Sequence, residues 1–213
     1  MTQARQFCSP RRAGVLALLL GASLALGGCL NATPLDDLNY VKPQGSAFNM
    51  ALYQNYSFLA HSFGDVGAAA HKVFDYDAAW SLNKTEKPIA DLANGFASKA
   101  VMASKDEFID PEPATDPASH EIRDRMLRAL EYGRDAFPRD AARTQTDYDC
   151  WMLNAAVPAQ KAAADRCRAS LDKTLPQLES ETSAAVAAAE KAADEAKAAR
   201  EAARKQNAGD GAQ

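Results

Sequence analysis

Few side chains in this chain have the type and spacing to do chemistry. His61, His71 and His120 are the only histidines. None belongs to an H-x-x-x-H or H-E-x-x-H pair with a third ligand nearby, so they read as surface or half-buried residues rather than metal ligands. Asp75 with Asp77, and Asp147 with Asp149, are paired acids of the kind that could share acid/base work or hold a cation. On a helix, residues two apart point to different sides, so neither pair can flank one bond together. No G-x-S-x-G elbow, phosphate-binding loop or dinucleotide fingerprint occurs. Trp80 and Trp151 could anchor a partner, but large aromatics of this kind more often fill a core. The expectation is a non-enzymatic protein, without a metal site and with no cofactor beyond lipid.

The thiols are more informative. Arg5, Arg11 and Arg12 precede an uncharged run from Ala13 to Gly28. That is the basic and apolar layout of a secretory leader, too short to stay as a spanning helix. The leader ends in Leu26, Gly27, Gly28 and Cys29, which resembles the lipobox of bacterial lipoproteins. The resemblance implies a diacylglycerol thioether and an N-acyl chain on Cys29. Two or more chains hold stably where one, at about 0.8 kcal/mol per buried CH₂, holds marginally. Leu30, in place of the aspartate that marks inner-membrane retention, implies the periplasmic side of the outer membrane, with the outer leaflet of the inner membrane as the alternative. An ordinary secretory leader with a chance cysteine is the plainer reading.

The whole chain carries a net charge of −4. Loss of a leader with three arginines and no acid makes the remainder more acidic still. That argues against nucleic acid as a partner. With Cys8 in the leader and Cys29 lipidated, Cys150 and Cys167 remain for an oxidising compartment. Their spacing is neither C-x-x-C nor a zinc pattern, so a structural disulfide is expected ahead of redox or metal use.

The elements that must position these residues all read as helices. Residues 29–45, with Pro34, Pro43 and Gly45, read as a tether. Ser46 can cap a helix whose apolar steps are Phe48, Leu52, Tyr56, Leu59 and Phe63, with Gly64 stopping it and Asp65 capping another through Val66, Ala69, Val73 and Trp80. After a turn over 84–88, Ile89, Leu92, Phe96, Ala100 and Ala103 mark the next helix. Residues 105–117, with three prolines and five acids, read as a solvated loop. Asp116 and Pro117 start a helix through Ile122, Met126, Leu130 and Phe137, which Pro138 ends. A helix from Arg139 through Tyr148, Trp151 and Met152 turns at Val157 and Pro158 into one with Ala163, Cys167, Leu171 and Leu175 on one face. Two antiparallel helices at that turn would bring Cys150 alongside Cys167.

Asp149, Cys150 and Trp151, then Cys167 and Arg168, occur with Phe96, Ala97, Lys99 and Ala100, and with Leu52, Tyr56, Leu59 and Ala60. Together they resemble the helical N-terminal region of alphaproteobacterial OmpA-family lipoproteins, over roughly residues 48–179. The resemblance implies an envelope lipoprotein. Two departures stand out: residues 153–157 replace an acidic, glutamine-rich stretch, and no OmpA-like peptidoglycan-binding domain follows, so that domain's binding residues have no counterparts here.

From Glu179 to Gln206 the chain is almost wholly Ala, Glu, Asp, Lys and Arg, of high helix propensity. Ala185, Ala189, Ala192, Ala196, Ala199 and Ala203 form a four-three seam, and Glu201 with Lys205 is an i,i+4 pair. Alanine buries little area, so a solvated single helix is the simpler expectation and a docking or oligomerising helix the alternative. The reading is thus an all-α, disulfide-stapled bundle of tetratricopeptide-like hairpins with a long Ala-rich C-terminal helix. Its divisions are a leader at 1–28, a lipidated tether at 29–45, a helical domain at 46–178, the Ala-rich helix at 179–206 and a disordered tail at 207–213. The functions compatible with it are an adaptor or spacer for another envelope protein, a cell-wall lipoprotein contacting peptidoglycan through its last helix, and a regulator of an envelope enzyme.

Overall fold

The computed structural model describes residues 33–71 and 86–210. The leader, Cys29, Val73, Asp75, Asp77, Trp80 and residues 211–213 lie outside them. Among the described residues the fold is all-α, in the order α1 (Pro34–Asp37), α2 (Ala47–His71), α3 (Glu86–Ser104), α4 (Pro117–Ala136), α5 (Pro138–Ala155), a 3₁₀ turn (Pro158–Gln160) and α6 (Lys161–Asp210). Most of the apolar steps foreseen among the described side chains face one core, in which Leu52, Tyr56, Phe96, Met126, Leu130, Leu171 and Leu178 are almost wholly buried.

Several boundaries follow the local chemistry. Ser46 Oγ accepts the Asn49 N–H at 3.1 Å at the start of α2. Asp116 caps α4 through Ser119 in a reciprocal capping box, with Pro117 in the first turn. Pro138 opens α5 after the break at Phe137, and Val157 and Pro158 make the turn into α6.

Other boundaries differ from the sequence reading. Gly64 does not stop α2, which runs on to His71. A Cβ at Gly64 would lie 2.7 Å from Leu35 Cδ2, so this glycine is a seat for α1 rather than a breaker. The supposed tether therefore contains structure: Thr33 caps α1, and Leu38 is 5 % exposed within the core. Gly45 has φ 110 and its missing Cβ leaves room for the Asp106 side chain. The Asp106 carboxylate accepts the Ser46 N–H at 2.9 Å and Asn49 Nδ2–H at 2.7 Å, tying the start of α2 to the end of α3.

Pro88 lies in the first turn of α3 instead of in a turn before it. The loop 105–116 is not a free solvated strap, because Ile109 is buried in the core. Finally, α6 is one helix of 50 residues, not two elements, and it continues to Asp210 instead of yielding to disorder at 207. At 1.5 Å per residue it is about 75 Å long. Its first half packs on α4 and α5, with Arg125 reaching Glu179 through two hydrogen bonds of 2.9 and 2.7 Å. From Val186 to Ala202 every residue is exposed.

Candidate functional site

α5 is the least expected element. Thr144, Gln145 and Asp149 are fully buried, and Thr146 and Asp147 nearly so, because α2, α4 and α6 all pack on this one helix. A polar helix in such a place must find partners for its side chains. Its buried acids do so in two directions, while Thr144 Oγ1, Gln145 Oε1, Tyr148 Oη and Asn154 Oδ1 make no hydrogen bond among the described residues.

Toward α2 and α3, Asp149 accepts three hydrogen bonds. Tyr56 Oη donates at 2.6 Å and Lys99 Nζ at 2.9 Å to Oδ2, and the Glu112 backbone N–H donates at 2.8 Å to Oδ1. Lys99 also pairs with Glu112 Oε1 at 2.9 Å and lies 5.8 Å from the Tyr56 ring centre. Gln145 Nε2 donates to the Ile109 carbonyl at 3.0 Å, and Arg123 Nε to the Glu112 carbonyl at 3.1 Å, so the 105–116 loop is clamped from both sides. Burial pushes the Asp149 carboxyl up from its usual range, against the Lys99 ammonium and the Tyr56 hydroxyl, which hold it down. Burial and the adjacent Asp149 charge push the Tyr56 hydroxyl well above 10. Burial opposes a charged Lys99, yet Asp149 and Glu112 outweigh it and raise its pKa. With Asp149 fully enclosed and both oxygens engaged, this network locks α2, α3, α5 and the loop together.

Toward α6, Cys150 and Cys167 form the disulfide, stapling the two helices as expected. Beside it the Arg168 guanidinium lies 4.6 Å from the centre of the Trp151 ring, which meets Tyr148 in a T-shaped pair with ring centres 5.9 Å apart. Asp147 accepts Arg143 Nε at 2.9 and 3.0 Å, Ser170 Oγ at 2.7 Å and Thr174 Oγ1 at 3.2 Å. Asp147 and Asp149 thus face different helices, as their spacing requires.

The face carrying Asp147 opens into a cleft of about 500 Å³ between α2, α5 and α6, lined by Phe58, Leu59, Arg143, Asp147, Arg166 and Cys167 among others. Sequence reasoning missed this cleft, and it gave Tyr56, Lys99 and Asp149 no common role. A signal for the network was present: Lys99 is the only charged residue between Leu92 and Ser104.

His61 and His120 are exposed on α2 and α4 and join neither arrangement. Among the described residues no group of three or more His, Cys, Asp or Glu could hold a metal, and no helix is long and apolar enough to cross a membrane. No family model, curated protein or solved structure matches the chain.

Proposed function

We propose that this chain is a non-enzymatic envelope lipoprotein, a helical adaptor or spacer held to a membrane by lipid on Cys29 and docking another envelope protein. The observation that carries the reading is the Cys150–Cys167 disulfide, because such bonds belong to oxidising compartments. The basic leader and the Leu26–Cys29 junction supply the address. The motif residues that resemble the helical region of alphaproteobacterial OmpA-family lipoproteins support the same class, with the outer membrane as the destination. An uncovered cleft and a long exposed helix support docking in a tetratricopeptide-like manner.

Mass spectrometry of the native protein tests the address: a chain beginning at acylated Cys29, with two cysteine hydrogens missing, is expected. An intact Met1 with free thiols at 150 and 167 would sink the proposal. In-cell crosslinking tests the adaptor role, and recovery of no partner protein counts against it. A second reading is favoured by the exposed part of α6 that carries Lys197, Arg200 and Arg204. It makes this part a contact to peptidoglycan and predicts sedimentation with purified sacculi that is lost when residues 180–213 are deleted. Regulation of an envelope enzyme is the remaining alternative within the same docking logic.

A further inference from the structure

We infer that the cleft between α2, α5 and α6 is the docking site for an acidic peptide segment that presents a bulky apolar side chain beside its carboxylates. This inference rests on the adaptor reading and supplies the chemistry of the partner. Three observations lead to it. The cleft, at about 500 Å³, is within the size range that takes a side chain and its neighbouring backbone. On its α2 wall Phe58 is 72 % exposed, next to Leu59, and Cys167 adds polarisable sulfur to the opposite wall. An aromatic left in water at the mouth of a concavity is the kind of anchor that binding surfaces use.

The third observation is charge. Asp147 is the one acid lining the cleft, and its carboxylate is taken up by Arg143, Ser170 and Thr174, with 8 % of its side chain exposed. Arg143 remains 56 % exposed. Arg166 is exposed, and it has no ion pair among the described residues. Arg143 is spent on Asp147 and Ser170 through its Nε and Nη2 groups, so the cleft carries a net charge of one positive, the unpaired guanidinium of Arg166, on a chain whose net charge is −4. Guanidinium forks match carboxylates in pairs of parallel hydrogen bonds. An anionic lipid surface is the weaker fit, because recognition of that kind relies on about four to eight clustered cations, and here one unpaired cation stands beside a hollow.

Selection from a randomised, terminally blocked decapeptide library on the oxidised protein tests the inference. Enrichment of sequences with Asp or Glu adjacent to Leu, Phe, Met or Trp is expected. An enriched peptide should bind at least about tenfold more weakly to Arg166→Glu, and Phe58→Ala should weaken it as well. Both residues are exposed, so far-UV circular dichroism of the variants should match the parent. Enrichment of basic or neutral sequences, no enrichment, indifference to Arg166→Glu, or binding only to phosphatidylglycerol vesicles would each overturn the inference. Crosslinking separates the two levels: a partner retained by Arg166→Glu refutes the cleft alone, whereas no partner for the parent refutes the adaptor.

Discussion

Asp149 meets three donors with two oxygens, and the cost of disturbing that balance depends on which partner is removed. Lys99→Met leaves a buried carboxylate short of its cation and should cost about 3–5 kcal/mol in urea unfolding at neutral pH. The loss should shrink as the pH is lowered and the carboxyl takes up a proton; a deficit independent of pH would contradict the arrangement. At high pH the sign is fixed by the three groups that hold protons more tightly when folded. Tyr56 lies well above 10, Tyr148 is pushed to about 12, and Lys99 is raised. Unfolded tyrosine and lysine release theirs near pH 10, so stability is full below that pH and falls as pH climbs toward the folded values. Thermal midpoints between about pH 8 and 12 should show the decline, and Tyr56→Phe should make it shallower. Residues of this kind were only partly legible. Cys150 with Cys167 could be paired from sequence, whereas Tyr56 and Asp149 are 93 positions apart and no local pattern joins them.

At the scale of elements, local chemistry and long-range packing divide the credit. The caps at Ser46 and Asp116 and the breaks at Pro138 and Pro158 are local, so they could be read directly. Gly64 could not, because its role is set by Leu35 on another element. The burial of polar α5 was equally hidden: its side chains look solvated until Lys99, the 105–116 loop and α6 supply partners. Gly45→Ala should destabilise by roughly 1–3 kcal/mol, since it combines a positive φ with loss of the space used by Asp106. Gly64→Ala should cost much less, because Leu35 can swing aside and alanine favours helix by about 1 kcal/mol. A chemical denaturation series on the two variants checks the order, and equal losses would contradict it. Replacing both Cys150 and Cys167 with alanine should cost about 3 kcal/mol in the same assay, from the loop closed across a separation of 17 residues.

For the molecule as a whole, the core ends well before the chain does. Leu171, Leu175, Leu178 and Thr182 are the last buried residues of α6 among the described side chains, and Val186 to Ala202 are exposed throughout. A chain ending at Glu190 should keep its urea midpoint within about 0.5 kcal/mol of stability while its total helical signal falls. A large loss would mean that the Ala seam is covered in solution, and sedimentation would then show association. The all-α body and long final helix were readable from periodicity and composition, but not that the two share one continuous helix through Pro176. That helix has a mechanical corollary. Cys167 sits near its base, bonded to Cys150, so a pull on the far end travels down the helix and crosses into α5 through the sulfurs. The intervening hairpin turn carries none of the tension, and a chain stretched to full extension between Ser46 and Asp210 should come up short by roughly 50 Å until the bridge is reduced.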